Sequence, residues 1–152
     1  MCGRYIAFSD ASKFVLLELD YDNENEIMKK VVLPKEVKKF SSRFIYFGVK
    51  NKNVVVYLIN NNGNLLVYNI SKKSHTSLLL PSNNNNNKQI LLDCCISPNF
   101  QNIVVSTLNR EVFVYSIDAL KVDNNCPKSS RYITYIKFID ENVFLILDED
   151  NK

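Results

Sequence analysis

The sequence has 152 residues, of which 46% are hydrophobic and 23% are charged, and its formal net charge is +3. This balance is that of an ordinary globular chain, and the charge excess is too small to indicate nucleic-acid binding by itself. No apolar run is long enough to span a membrane and no secretory signal is recognisable, so we expect a soluble intracellular protein without a membrane partner.

Short apolar runs separated by polar turns recur along the whole chain and predict β-strands. The first group is expected at 4–8, 13–19 and 28–33, and the second at 43–47, 53–59, 65–70 and 76–80. The third is expected at 90–96, 102–107, 111–117 and 120–125, and the fourth at 131–138 and 143–147. The best helical candidate, residues 34–40, is too short to be stable alone, so this lysine-rich stretch is predicted to be a loop or a strand edge.

Two of the apolar runs are near copies of each other. Val67-Tyr68-Asn69-Ile70 and Val114-Tyr115-Ser116-Ile117 share the pattern Val-Tyr-x-Ile. Their separation is the length of a four-stranded propeller blade, and Asn62-Gly63 before the first copy is a strong hairpin signal. The runs are almost continuously apolar, which indicates strands covered on both faces.

These patterns predict an all-β fold, a partial β-propeller of the WD40 type. About three four-stranded antiparallel blades plus half a blade would form a single domain over residues 1–152, with a disordered asparagine-rich loop at 81–89 between blades. The alternative is a small closed barrel or sandwich, which would need clearer in-out alternation along its strands. Because the first and last groups lack strands, we expect a fragment of a longer product with exposed strand edges at both ends. The alternative is a chain that requires blades from a partner.

Residues that could support catalysis or metal binding are sparse. His75 is the one histidine, the four cysteines include no C-x-x-C pair, and Asp148-Glu149-Asp150 has no calcium-loop spacing. We therefore expect reduced, mostly buried thiols, a solvated acidic turn, and no catalytic, cofactor or metal site. A non-enzymatic protein without a small-molecule substrate is the resulting prediction.

One short stretch concentrates basic residues, and only one acid, Glu36, lies among them. The six candidates for contact with RNA or a protein partner are Lys29, Lys30, Lys35, Lys38, Lys39 and Arg43. Phosphate would be attracted to such a cluster. The alternative is a solvated blade edge, where lysine discourages pairing between strand edges. The nearby aromatic residues Phe40, Phe44 and Tyr46 are predicted to belong to the core.

Part of the chain resembles the step between the first two strands of WD-repeat blades. Ile96-Ser97-Pro98-Asn99 followed by Ile103-Val104-Val105-Ser106 has this form, and Cys2-Gly3-Arg4-Tyr5-Ile6-Ala7-Phe8-Ser9 is similar to it. The chain departs from the repeat in having no tryptophan, so no Trp-Asp pair closes a blade.

The order of the motifs resembles the later propeller of the cirhin family, WD-repeat subunits of the U3 small-subunit processome. A Cys-Gly step leads into Ser12-Lys13-Phe14-Val15-Leu16, and the phenylalanine-centred strand at 43–47 and the turn Asn62-Gly63-Asn64-Leu65 follow. The strand at 91–98 and then Val112-Phe113-Val114-Tyr115 with Leu120 complete the order.

This resemblance implies a non-catalytic scaffold in ribosome biogenesis. Such a subunit would sit in the nucleolus, bind other protein subunits of a large complex and contact pre-ribosomal RNA or the U3 particle during pre-18S processing. The alternative is a WD40 adaptor for protein–protein interaction that is unrelated to ribosome assembly.

Overall fold

The computed structural model describes residues 4–22, 25–80, 90–119, 121–126 and 129–150. Within them the chain forms thirteen β-strands and one short helix. The strands are β1 Tyr5–Ser9, β2 Phe14–Asp22, β3 Asn25–Lys30, β4 Phe44–Lys50, β5 Asn53–Ile59, β6 Asn64–Asn69, β7 Ser74–Leu79, β8 Leu91–Ile96, β9 Asn102–Thr107, β10 Val112–Ser116, β11 Lys121–Asn125, β12 Ile133–Phe138 and β13 Phe144–Asp148; the helix is α1 Lys35–Lys38.

Strands that follow each other along the chain are also neighbours in the sheets. They form a three-stranded sheet β1-β2-β3, two four-stranded sheets β4-β5-β6-β7 and β8-β9-β10-β11, and a two-stranded sheet β12-β13. This grouping confirms the predicted series of blades. The largest differences in bounds are three residues: β3 begins and ends three residues earlier than the apolar pattern predicted, and β2 and β4 each end three residues later.

The chain divides into two compact units, which are described separately. The first comprises Met1–Asn60 and Leu65–Ser77, and the second comprises Asn61–Asn64 and Leu78–Lys152. The single domain over residues 1–152 therefore stays a prediction. The predicted loop at 81–89 lies outside the described residues, as do Cys2, Gly3 and Leu120.

The core of the first unit joins two sheets and the helix. Phe14 and Leu16 of β2 pack with Val56 and Leu58 of β5, and Val37 of α1 completes the contact. All five side chains are almost fully buried. Burial of this apolar surface is the main force that holds these elements together.

The second unit has a core cluster of its own. Cys95 of β8 and Val104 of β9 pack with Ile133 and Ile136 of β12, so the hairpin β12-β13 is held against the four-stranded sheet. The rings of Phe138 and Phe144 meet edge to face with centroids 5.7 Å apart, at the closed end of that hairpin.

Coverage on both faces differs between strands. The five residues from Val55 to Ile59 in β5 are all at most 3% exposed, as the continuous apolar run predicted. In β1 the exposure alternates instead, because the core contacts Tyr5 and Ala7 while Ile6 and Phe8 are exposed. One face of the first sheet is thus covered less than expected.

The tight turns use residues with positive φ. Gly63 has φ of +79°, which confirms the turn predicted at Asn62-Gly63, and its carbonyl accepts a hydrogen bond from the Leu80 N–H at 2.9 Å. Asn51 and Lys52 connect β4 to β5 with φ of 50° and 65°. Two successive positive φ values define the hairpin turn that matches the twist of the flanking strands.

The prediction of a loop or strand edge for residues 34–40 was wrong in one respect. Residues 35–38 form a single helical turn, closed by hydrogen bonds from Lys38 N–H to the Pro34 carbonyl and from Lys39 N–H to the Lys35 carbonyl. The fixed φ of Pro34 suits a helix start. Burial of Val37 stabilises a turn that its own length could not, because tertiary packing supplies most helix stability in proteins.

Candidate interaction surface

The six predicted basic residues all belong to the first unit, and all are exposed. Two lie in β3, two in α1, one directly after α1 and one directly before β4. In that order they are Lys29, Lys30, Lys35, Lys38, Lys39 and Arg43. The burial of Val37 on the inner side of α1 leaves the lysines of that turn toward solvent.

Two of the six basic side chains are engaged with neighbours. The ammonium of Lys29 lies 2.6 Å from a carboxylate oxygen of Asp20, and the guanidinium of Arg43 stacks over the ring of Phe44, 5.1 Å from its centroid. No ion pair is recorded within the described residues for Lys30, Lys35, Lys38 or Lys39. These four ammonium groups carry most of the unneutralised charge of the surface.

A groove of about 340 Å³ lies between the start of β2 and the segment that follows β3. Its floor is apolar and three lysines stand around it. The lining residues are Lys13, Phe14, Val15, Lys30, Val31, Val32, Leu33 and Lys38. None of the acidic side chains that the structure describes lines this groove. The volume lies at the lower end of the range of small binding sites.

Lys13 was missed by the sequence analysis. It is far in sequence from Lys30 and Lys38. The pairing of β2 with β3 brings it to the same end of the hairpin as Lys30, and α1 adds Lys38 to the groove. The antiparallel pairing of β2 and β3 could have indicated Lys13 from the sequence. Lys13 directly precedes β2 and Lys30 ends β3, so the two lysines lie at the same end of the hairpin. Lys39, Lys35 and Arg43, by contrast, do not line the groove.

The nearby aromatic residues are not free stacking platforms. Phe40 packs against the core of the first unit, as predicted. Phe44 and Tyr46 are half-buried, and Phe44 is covered by Arg43. Bases of single-stranded RNA are bound by exposed aromatic faces, and Phe40 and Phe44 offer no such free face.

The residues weighed for catalysis or metal binding lie apart. His75 is exposed in β7, and no group of three or more His, Cys, Asp or Glu side chains able to hold a metal ion occurs among the described residues. Asp148 ends β13, and Glu149 and Asp150 form an exposed turn in which Asp150 pairs with Arg131.

The described cysteines are free. Cys94 and Cys95 are buried and Cys126 is half-buried. Burial raises the pKa of the Cys95 thiol to about 12, so this group is protonated at neutral pH. Burial also raises the pKa of Cys126. A protonated thiol is a poor nucleophile and a poor metal ligand.

No helix within the described ranges is long and apolar enough to cross a membrane.

Comparison with known proteins gives a match at the level of the fold. No family model matches the chain, and no curated protein matches it. Among solved structures, the β-propeller domain of Cps50 (Swd1) from Myceliophteria thermophila matches with a TM-score of 0.60 at 12% sequence identity. The match covers 98% of this chain and 47% of that chain, so this chain spans about half the length of its structural neighbour. The chain therefore has the fold of a partial β-propeller of the WD40 type, with two four-stranded antiparallel sheets, one three-stranded sheet and one two-stranded sheet among the described residues.

Proposed function

We propose that this chain is a non-catalytic interaction scaffold that binds other macromolecules through the basic surface of its first unit. The observation that carries this proposal is the set of four exposed lysines that form no ion pair with a described residue, Lys30, Lys35, Lys38 and Lys39, on and beside a groove with an apolar floor. Clustered charge of one sign on a rigid support attracts oppositely charged partners and accelerates their association.

The propeller fold supports the scaffold role. Its blades place strand edges and hairpin turns at the surface on a well-packed frame, and propellers of this kind generally act by binding other proteins. Fold alone does not define chemistry. The scattered positions of the residues that could react also support a non-catalytic role. His75 is exposed on β7, and the Cys95 thiol is buried and protonated.

The specific role that we propose is in ribosome biogenesis. The chain would act as a nucleolar subunit of the small-subunit processome and assist pre-18S ribosomal RNA processing by holding other protein subunits. The support is the order of sequence motifs shared with the cirhin family, including Ile96-Ser97-Pro98-Asn99 and Val112-Phe113-Val114-Tyr115. In such a particle the basic surface would meet acidic protein segments or pre-ribosomal RNA.

The test is co-purification from cells that express the complete tagged gene product. The proposal expects U3 RNA and processome proteins in the purified material, and the tagged protein in the nucleolus. A protein that stays outside the nucleolus and recovers neither U3 RNA nor processome subunits would overturn the ribosomal role.

A generic WD40 adaptor is the second candidate. The observation that favours it is the structural match itself, because a propeller domain of a different protein, Cps50 (Swd1), shares this fold. Under this alternative the same basic surface binds protein partners, while U3 RNA is absent from the purified material. The co-purification experiment therefore separates the two candidates.

A further inference from the structure

The free edge of β3 and the lysine-rimmed groove beside it form one continuous surface. β3 is the last strand of the sheet β1-β2-β3, and no described strand lies on its outer side. The groove begins where β3 ends, since Lys30, Val31, Val32 and Leu33 line it. An extended chain laid along β3 would therefore run directly into the groove.

The backbone of β3 has hydrogen-bonding groups to offer such a chain. The Val31 N–H donates to the Leu16 carbonyl at 2.9 Å, so Val31, and every second residue before it, faces β2. In an antiparallel pair the residues in between face the other way. The N–H and C=O groups of Met28 and Lys30 consequently point outward, where a further strand would meet them.

The exposed side chains along this edge are of two kinds. Ile27 and Met28 are 39% and 63% exposed, and they stand at the middle of β3. Lys30 stands at its end and shares the groove with Lys13 and Lys38. The apolar part of the surface thus precedes the basic part along the strand.

Lysine on a strand edge usually prevents pairing with other strands. Two acids of this sheet are already engaged, since Asp20 binds Lys29 and Glu18 binds Arg4 at 2.8 Å. Lys30 forms no ion pair with a described side chain. A neutral or basic strand would be rejected at this position, whereas an acidic strand would neutralise the charge. The lysines would therefore prevent pairing of β3 with neutral or basic strands, and they would favour an acidic partner.

We propose that β3 and the adjoining groove bind an extended acidic segment of a partner protein by strand addition. The segment would pair with the outward N–H and C=O groups of Met28 and Lys30, place acidic residues beside Lys30 and Lys38, and place apolar residues beside Ile27 and Met28. In antiparallel pairing its acidic residues precede its apolar residues in the sequence. This inference rests on the proposed scaffold function and names the partner chemistry of the same surface.

Protein is favoured over RNA as the occupant. Single-stranded RNA would be bound by stacking on exposed aromatic rings, but Phe40 packs in the core and Phe44 is covered by Arg43. Phe8 is 51% exposed, but it lies on β1, at the opposite edge of the sheet from β3. The apolar floor of the groove and the exposed Met28 would gain nothing from a phosphate backbone. A peptide that combines carboxylates with apolar side chains matches both parts.

The proposal is tested with a fluorescently labelled peptide, Ser-Glu-Asp-Glu-Val-Leu-Val-Ser. Its affinity for the full chain is measured by fluorescence anisotropy. We expect K30E and K38E each to weaken binding by about tenfold, because each removes a charge-assisted contact. The matched control is K137E, which alters an exposed strand lysine of the second unit and should leave the affinity unchanged. The proposal fails if K137E weakens binding as much as K30E.

Methylation of the peptide backbone separates strand addition from simple charge attraction. In the first peptide, N-methyl groups on alternate residues replace the N–H groups that would face β3. In the second peptide, N-methyl groups on the intervening residues leave the hydrogen bonds to β3 intact. We expect only the first peptide to lose binding. Equal binding of the two methylated peptides would overturn strand addition.

Two further ligands test the chemistry of the partner. A peptide with lysine in place of its acidic residues should not bind, and oligouridine should bind more weakly than the acidic peptide. Tighter binding of oligouridine, abolished by K30E, would overturn the peptide proposal but leave an RNA-binding scaffold intact. Failure of every ligand to bind, together with recovery of U3 RNA by the tagged protein, would overturn this inference alone.

Discussion

The carboxylate of Asp93 accepts a hydrogen bond from the backbone N–H of Ile136 at 2.7 Å. This contact joins β8 to β12, and the fully buried Ser106 supports it by accepting the Asp93 N–H at 3.1 Å. The Ser106 hydroxyl lies 3.4 Å from the Ile133 carbonyl, so it also links the two sheets. In a chain without tryptophan, these side chains supply the polar connection inside the second unit.

Replacement of Asp93 by alanine should destabilise the chain by about 2 kcal/mol, because it leaves the Ile136 N–H without its charged acceptor. The measurement is the free energy of unfolding in urea. E149A removes an exposed carboxylate of the same unit and should change this free energy by less than about 0.5 kcal/mol. If D93A lowers the free energy of unfolding as little as E149A does, the hydrogen bond between Asp93 and Ile136 contributes little to stability.

Lys52 is held in a backbone conformation that suits glycine. Its φ is 65°, and it occupies the second central position of the turn between β4 and β5. The left-handed region costs a residue with a side chain about 1 kcal/mol, so K52G should raise the free energy of unfolding by a similar amount. K52A keeps the strain while it removes the long side chain, and it serves as the control. If K52G and K52A stabilise the chain equally, the gain comes from removal of the lysine side chain and not from relief of backbone strain.

Cys95 should resist alkylation in the native protein. Its pKa is raised to about 12 by burial, so the reactive thiolate is scarce at about pH 8. Mass spectrometry after treatment with iodoacetamide should find Cys95 unmodified in the folded chain and fully modified in urea. Because the folded-state pKa is raised, the free energy of unfolding should also fall as the pH rises above the ordinary thiol value of 9.0. Rapid native modification would contradict the burial of this thiol.

The ion pair between Lys29 and Asp20 should contribute little to stability. Its side chains are 60% and 39% exposed, and exposed pairs contribute at most about 1 kcal/mol. K29Q should therefore lower the free energy of unfolding far less than D93A does, and the small loss should shrink further in concentrated salt. A loss for K29Q as large as that for D93A would contradict this distinction.

The strand order could be predicted from sequence because it depends on local patterns. Apolar runs such as 53–59 and 102–107 are separated by turn residues, and the repeated Val-Tyr-x-Ile marks equivalent strands. Asn62-Gly63 identified a turn because glycine tolerates the φ that this turn requires. The helix at 35–38 was missed, since only the burial of Val37 against β2 and β5 stabilises it.

The candidate site was only partly visible in the sequence. The basic stretch indicated Lys30 and Lys38, but the groove also needs Lys13 and the apolar floor, which the β2–β3 register brings together. The link from Asp93 to Ile136 could not be predicted either, because it spans distant strands and depends on a shift of register in β8 beside Asp93.

The most direct test of the proposed function compares the complete tagged gene product with its K30E/K38E variant in cells. Both lysines are exposed, so the variant should fold normally. We expect the unaltered protein to recover processome subunits and U3 RNA, and the variant at equal abundance to lose most of that recovery. Equal recovery by the two proteins would contradict the role assigned to the basic surface.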